Sequence, residues 1–207
     1  MIQRKWRRRL QKASELGLQN IMMCLATRCW FRLIHFKFKF DPWHYKGTYH
    51  CRPYQRIAVK LVNNLQPKVV VEIGCGLGEI ISRVNATRRI GYDLDGAVIE
   101  AAKFIRSGKV NFYVGTGNDV QEKEIDVLIL LNWIHDLSPQ QMMNFLEPFY
   151  KRVSYFVLEG ITPGEAGYKF FHDFKFLSEH AELVEAIDGG FGEPRKLMIF
   201  KVLKNVC

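Results

Sequence analysis

The sequence lacks several features that would assign it to a simple class. No segment contains 18 uninterrupted apolar residues, which excludes an ordinary membrane-spanning helix. The five cysteines are odd in number and form no CxxC pair, which argues against a zinc site and a disulfide framework and predicts a reducing, cytoplasmic compartment. With 48% hydrophobic and 25% charged residues, the 207-residue chain is neither disordered nor fibrous. Its length suits one globular domain with an extension.

Acidic residues are nearly absent from the first part of the chain. Residues 1–60 contain 14 Lys and Arg against two acids, Glu15 and Asp41, a formal charge of +12. Residues 61–207 contain 16 Lys and Arg against 19 acids, a formal charge of −3. The pattern therefore predicts a basic helix and an aromatic arm over residues 1–54, followed by a mildly acidic main domain over residues 55–207.

The first 35 residues have the apolar spacing of an amphipathic helix. Ile2, Trp6, Leu10 and Ala13 recur every three or four positions among basic residues, and no convincing signal-peptide cleavage site follows. Three interpretations remain open at this stage. In the first, the helix attaches to the anionic inner face of a membrane. In the second, it packs on the domain with its basic side in solvent. In the third, it contacts the phosphates of a nucleic acid.

The segment FKFKFDPWHYKGTYHCRPY, residues 36–54, connects this helix to the main domain. Phenylalanine and lysine alternate over residues 36–40, which predicts a short strand or an extended arm. From Trp43 to Tyr54 the sequence resembles a loop that is rich in aromatic and histidine side chains. These residues either form a lid over a pocket or hold the arm on the domain. His44 and Tyr45 are candidate substrate-binding residues.

A strand, a glycine-rich turn and a helix are predicted early in the main domain. The apolar stretch over residues 69–73 is typical of a parallel strand buried on both faces. It leads into Gly74-Cys75-Gly76-Leu77-Gly78, and a helix that includes Ile80, Ile81 and Val84 is predicted to follow this turn. Asp93 ends the next strand, 21 residues after Glu72. This order is that of the nucleotide-binding entry of a doubly wound sheet, where such a carboxylate accepts ribose hydroxyls.

The remaining pattern alternates further strands and helices. Helices are predicted over Gln55–Leu65, after Asp95 and after Ser138, where the last two residues are expected N-caps. Strands are predicted at 110–115, 125–133 and 154–160, and two final strands, LVEAID and KLMIFKVL, flank the segment GGFGEPR.

EIGCGLG followed by IGYDLD, together with this order of elements, resembles the class I S-adenosylmethionine-dependent methyltransferases over roughly residues 55–207. The resemblance implies an α/β fold: a doubly wound, Rossmann-like sheet of seven strands with a C-terminal antiparallel hairpin. It also implies S-adenosyl-L-methionine as the cofactor and no metal.

The resemblance also implies roles for individual residues. The glycine turn and Glu72 would frame the methionine part of the cofactor, Asp93 would hold the ribose and Leu94 would contact the adenine. After the third strand the family usually has an acid, and here Thr116 replaces it or Asp119 supplies it from further along. The implied cofactor-binding set is Glu72, Gly74, Cys75, Gly76, Gly78, Asp93, Leu94, Thr116, Gly117 and Asn132.

Candidate catalytic residues follow the fourth strand. His135 could act as general base for a hydroxyl acceptor, oriented by Asp136, or it could cap the next helix or pack under the loop. Trp133 lies at the same rim and is a candidate for substrate binding. His172 is a second candidate, within a predicted helical stretch over residues 168–180.

The acceptor is predicted by a second, less specific resemblance. There is no Asn-Pro-Pro-Tyr motif for a base amine, and no cysteine pair suited to attack on a pyrimidine. The segments WHYKGTYHCRPY, NWIHDL and HDF are similar to small methyltransferases of bacterial surface-polysaccharide biosynthesis. This implies an O-methyltransferase acting on a sugar, glycan or lipid-linked saccharide. An RNA or small-molecule methyltransferase and a catalytically silent cofactor-binding scaffold remain as alternatives.

Overall fold

A mixed sheet with helices on both faces forms the centre of the molecule. The computed structural model describes residues 2–161, 163, 167–190 and 195–204, with side chains from residue 17 onward. Within these residues, seven strands lie in the order β3-β2-β1-β4-β5-β7-β6. Their bounds are β1 Val69–Ile73, β2 Arg88–Asp93, β3 Asn111–Val114, β4 Ile125–Leu130, β5 Val153–Ile161, β6 Ala181–Asp188 and β7 Arg195–Val202.

The strand directions confirm the predicted fold class. Strands β1 to β5 are parallel, whereas β7 runs antiparallel to β5 and β6 runs antiparallel to β7. Because successive side chains of a strand point to opposite faces, Val70 and Val127 belong to one apolar core and Val71 and Leu128 to the other. The near-continuous apolar runs in the sequence correspond to strands covered on both faces.

Five helices accompany the sheet in the described part of the chain, and two of their N-caps are as predicted. The Asp95 side chain accepts hydrogen bonds from the backbone N–H groups of Ala97 and Val98. Ser138 forms a capping box with Gln141. The helices are α1 Ile2–Phe38, α2 Trp43–Lys46, α3 Pro53–Asn64, α4 Gly96–Ile105 and α5 Pro139–Leu146.

The extended arm predicted at residue 36 is wrong, because α1 continues to Phe38. Phe31 and Ile34 are buried against α4, and this packing outweighs the two-residue alternation of Phe and Lys that follows. The helix breaks at Gly17, which has φ 70°, and Lys39 takes a positive φ directly after its end. The predicted apolar side of Ile2, Trp6, Leu10 and Ala13 lies outside the described side chains.

Two predicted helices in the main domain are also wrong. After the glycine turn the chain forms only a 3-10 turn over Ile81–Arg83, because β2 begins at Arg88 and leaves no room for a longer helix. Residues 168–180 contain one 3-10 turn, Lys175–Leu177. There the left-handed backbone of Phe174, φ 54°, is incompatible with a continuous helix.

The expectation of no disulfide is contradicted by a bond between Cys24 of α1 and Cys51 of the arm. Their Cα atoms are 5.4 Å apart, a separation that a disulfide spans without backbone movement. The prediction was wrong because an odd cysteine count does not reveal which two cysteines the fold brings together. The cysteine count therefore gives no support to a reducing compartment.

None of the helices in the described part of the chain is both long and apolar enough to cross a bilayer.

Candidate functional site

A cavity of about 510 Å³ opens at the carboxyl ends of the central strands. The strand order reverses between β1 and β4, and ligands of open α/β sheets bind at this kind of switch point. The turns after β1 to β4 supply one wall of the cavity and the arm supplies another. The lining includes Trp43, His44, Gly47, Arg52, Glu72, Gly74, Cys75, Gly76, Asp93, Leu94, Thr116, Gly117, Asn132 and Trp133.

The glycine turn is packed so closely that side chains would not fit. A Cβ on Gly74 would lie 2.4 Å from Cδ1 of Trp133, and one on Gly76 would lie 2.8 Å from Nδ1 of His44. Both glycines have positive φ, and the Trp133 indole is held over the turn by donating to the carbonyl of Ile73 at 2.7 Å. Because the two glycines have no side chains, Trp133 and His44 can lie directly against the backbone of the turn.

Gly78 has a different role from the other two glycines. A Cβ there would lie 2.6 Å from Cζ of Phe112, and Gly78 is outside the described cavity lining.

Asp93, the predicted ribose-binding residue, ends β2 and lines the cavity. Its Oδ2 accepts from the backbone N–H of Gly76 at 2.8 Å and its Oδ1 from that of Asp95 at 3.0 Å. Each carboxylate oxygen retains a second lone pair for a further donor. Leu94, beside it on the cavity lining, is 75% exposed. A fixed carboxylate beside an exposed apolar side chain suits a ribose joined to an aromatic base.

Thr116 and Asp119, the two candidates after β3, have different positions relative to the cavity. Thr116 and Gly117 line the cavity, whereas Asp119 accepts from both the backbone and the hydroxyl of Thr116 and is outside the described lining. Asp119 thus holds the turn that places Thr116.

Glu72 is enclosed beneath the glycine turn. Its side chain accepts from the backbone N–H of Ile81 at 3.0 Å, and burial, the largest influence, raises the pKa of its carboxyl to about 8. The negative charge of Asp93 adds to this rise. The carboxyl is therefore predominantly protonated at neutral pH when the protein carries no ligand.

We expect the Glu72 carboxyl to make the ligand-free protein less stable as pH rises. The folded state retains a proton that the unfolded state releases near pH 4.5, so the stabilisation is complete below that pH and is lost up to about pH 8. The unfolding constant should rise by up to about tenfold per pH unit in this window. Urea unfolding of wild type and Glu72→Gln between these two pH values measures how the unfolding constant depends on pH. The same pH dependence in both proteins would contradict the expectation.

Behind the rim after β4 lies a buried ion pair. Glu159 of β5 accepts from the Arg195 guanidinium and from the backbone N–H of Asn132. Arg195 also donates to Oδ1 of Asn132 at 3.3 Å and lies 4.2 Å from the ring of Tyr54. Asn132 has a left-handed backbone, φ 75°, and lines the cavity. The pair therefore fixes an unusual backbone conformation at the site.

His135 adjoins this ion pair. Its Nδ1 lies 3.6 Å from Glu159 and its ring packs edge-on against Tyr168. Burial lowers the pKa of the imidazole, the nearby Asp136 opposing this shift. Asp136 itself is largely exposed, 3.7 Å from Nζ of Lys169. The carboxylate nearest to Nδ1 is thus that of Glu159.

The predicted residues are only partly brought together. Of the described residues that line the cavity, none is His135, Asp136, Tyr45 or His172. Tyr45 packs on His35, with ring centroids 5.1 Å apart. His172 is buried, and its Nε2 lies 3.1 Å from the carbonyl of Ile134. His44, by contrast, lines the cavity.

Sequence reasoning missed several lining residues. Arg52 of the arm donates to the Tyr54 hydroxyl at 3.0 Å and covers the Trp43 ring at 4.9 Å. The aromatic and basic composition of the arm was the sequence feature that could have indicated these lining residues. Glu159 was missed as well, although a glutamate within an apolar strand indicates a buried partner.

These residues fit an S-adenosyl group. Gly74 and Gly76 line the cavity without side chains of their own, Asp93 has acceptor capacity for two hydroxyls, and Leu94 offers an apolar surface to a base.

Comparison with solved structures shows the same fold. N-methyltransferase NodS from Bradyrhizobium japonicum WM9, in complex with S-adenosyl-l-homocysteine, is 17% identical with a TM-score of 0.61, over 78% of this chain and 92% of that one. Magnesium protoporphyrin IX methyltransferase (ChlM) from Synechocystis PCC 6803, with bound SAM, is 15% identical with a TM-score of 0.56, over 72% of this chain and 80% of that one. The methyltransferase domain of bacterial CtHen1 is 14% identical with a TM-score of 0.55, over 71% of this chain and 96% of that one.

No protein-family model and no curated protein matches the chain. At these identities, the structural likeness shows the fold of class I S-adenosylmethionine-dependent methyltransferases.

Proposed function

We propose that the protein is an S-adenosylmethionine-dependent O-methyltransferase that acts on a sugar or glycan. The observation that carries the proposal is the cavity at the switch point of this fold, where the glycine turn, Asp93 and Leu94 face one space. Solved structures with the same fold contain S-adenosylhomocysteine or SAM.

The chain's own residues would bind and orient the two reactants. Gly74 and Gly76 would contact the methionine part through backbone, Asp93 would accept the ribose hydroxyls, and Thr116 and Gly117 would flank the base. When bound, the cofactor supplies an electrophilic methyl group. Alignment of donor and acceptor then provides most of the rate enhancement, and a general base assists a hydroxyl acceptor.

The proposed acceptor is supported by the arm. Trp43, His44 and Arg52 present aromatic and hydrogen-bonding groups to the cavity, with His44 next to Gly76, a mixture that suits the apolar faces and hydroxyls of a saccharide. The structural neighbours include an N-methyltransferase and a porphyrin methyltransferase by name, so the fold itself does not select an acceptor. We place the activity at an anionic membrane surface because of the +12 charge of residues 1–60.

Transfer of labelled methyl from S-adenosylmethionine into fractionated host extract tests this function. We expect label in the polysaccharide or lipid-linked saccharide fraction. Label in RNA would overturn the glycan proposal, with the basic extension then contacting phosphates. Intact cofactor binding without label in any fraction would support a silent scaffold.

We expect His135→Ala to bind cofactor normally and to turn over roughly 10²–10⁴-fold more slowly if His135 is the general base. His180→Ala is the matched control, since its ring stacks on Tyr150 at 4.2 Å, remote from the cavity lining. Turnover and cofactor affinity are measured for both variants, together with His44→Ala. Unchanged turnover in His135→Ala with a loss in His44→Ala would move the base to the arm.

A further inference from the structure

The two long sides of α1 are both apolar from residue 18 onward. Cys24, Phe31 and Ile34 are buried on the side that faces the domain. On the opposite side, large apolar side chains are separated by three, four or eight residues, which places them on one face of the helix, and they are 57–76% exposed. We call this outer set the α1 stripe; it consists of Leu18, Met22, Leu25, Leu33 and Phe36.

The orientation of the α1 stripe is fixed. The Cys24–Cys51 disulfide joins the inner side of α1 to the arm, and Phe31 and Ile34 pack with Val98 and Ala101 of α4. The helix therefore cannot rotate to bury the stripe without losing that packing. An exposed apolar stripe on a fixed helix indicates an interaction surface.

Basic side chains flank the α1 stripe. Arg32 is exposed beside Leu33, and Lys39 lies with its Nζ 5.7 Å from the centre of the Phe36 ring. On the N-terminal side of the stripe the sequence has six further Lys and Arg within residues 4–12. An apolar strip bordered by cations is the pattern of helices that lie in the plane of a lipid interface.

We propose that the α1 stripe inserts into the headgroup region of an anionic lipid bilayer, so that the part of α1 after the break at Gly17 lies flat on the membrane. Charge decides this occupant against a second copy of the chain, because pairing two stripes would bring together two N-terminal segments, residues 1–60, with a formal charge of +12 each. A nucleic acid would engage the cations and leave the apolar side chains in water. Anionic lipid satisfies both groups together.

Docking through α1 would also bring the cavity close to the membrane surface. α1 leads through Lys39 directly into the arm, and Trp43, half exposed, lines the cavity. The cavity would then lie beside the headgroups, within reach of a saccharide carried on a lipid. This last step rests on the saccharide acceptor of the proposed function, whereas docking through the α1 stripe does not depend on which acceptor is methylated.

Flotation of the full-length protein with vesicles tests the proposal. The probes are vesicles of phosphatidylcholine with about one-third phosphatidylglycerol, and vesicles of phosphatidylcholine alone. The variant Leu25→Gln with Leu33→Gln removes two stripe residues without adding charge. Its matched control is Leu183→Gln with Val184→Gln, which removes two comparably exposed apolar residues from β6.

We expect wild type and the β6 control to float with the anionic vesicles and the stripe variant to partition roughly 10–100-fold more weakly. Thermal unfolding and S-adenosylhomocysteine affinity should be unchanged in the stripe variant, which separates loss of docking from misfolding and from failure of the proposed function. Absence of wild-type binding to anionic vesicles, equal losses in both variants, or conversion of a dimer to a monomer by the stripe variant would overturn the proposal.

Discussion

Asp93→Ala should reduce the affinity for S-adenosylmethionine by at least about 100-fold, because two charge-assisted hydrogen bonds to the ribose are lost. Removal of the carboxylate also frees the backbone N–H groups of Gly76 and Asp95, which it now holds at 2.8 and 3.0 Å. The glycine turn therefore loses an anchor together with the ligand. Isothermal titration with S-adenosylmethionine and S-adenosylhomocysteine measures the effect.

Asp126→Ala is a matched control for this variant. Asp126 accepts from the backbone N–H groups of Lys68 and Val69 at 2.7 and 2.9 Å, so it makes the same kind of contacts at the opposite end of the sheet. We expect Asp126→Ala to lose comparable stability and to bind cofactor as wild type does. Wild-type affinity in Asp93→Ala, or an equal loss in both variants, would refute the assignment of the ribose site.

Elements with local signals were predictable from the sequence. Buried parallel strands have continuous apolar runs, and the caps Asp95 and Ser138 act on backbone within three residues of themselves. The positions of Glu72 and Asp93 near the ends of two successive strands likewise predicted that both carboxyls lie near the glycine turn, because the carboxyl ends of the parallel strands β1 and β2 lie side by side.

Features that depend on distant packing were not predictable. The end of α1 is decided by contacts of Phe31 with α4, and the Cys24–Cys51 bond by the path of the arm. His135 illustrates the limit at the site, because the sequence gives its place after β4 but not the direction of its side chain. The rim geometry depends on Glu159 and Arg195, which only the β5–β7 pairing brings together.

This Glu159–Arg195 pair gives the second large effect. We expect Arg195→Leu to lower the free energy of unfolding by about 3–5 kcal/mol, because it leaves the fully buried Glu159 carboxylate without its cation. The double variant Glu159→Gln with Arg195→Leu should recover most of this loss, since the amide oxygen of the introduced glutamine can still accept from the backbone N–H of Asn132 and no charge remains buried.

Urea unfolding of wild type, Glu159→Gln, Arg195→Leu and the double variant completes a thermodynamic cycle for the pair. Lys103→Leu is the control, because its ion pair with Glu100 is solvent-exposed and should contribute less than about 1 kcal/mol. If Arg195→Leu costs no more than Lys103→Leu, the pair does not stabilise the fold. If the double variant is stable but binds cofactor weakly, the pair acts mainly on Asn132, because its removal then alters the cavity wall while the sheet remains intact.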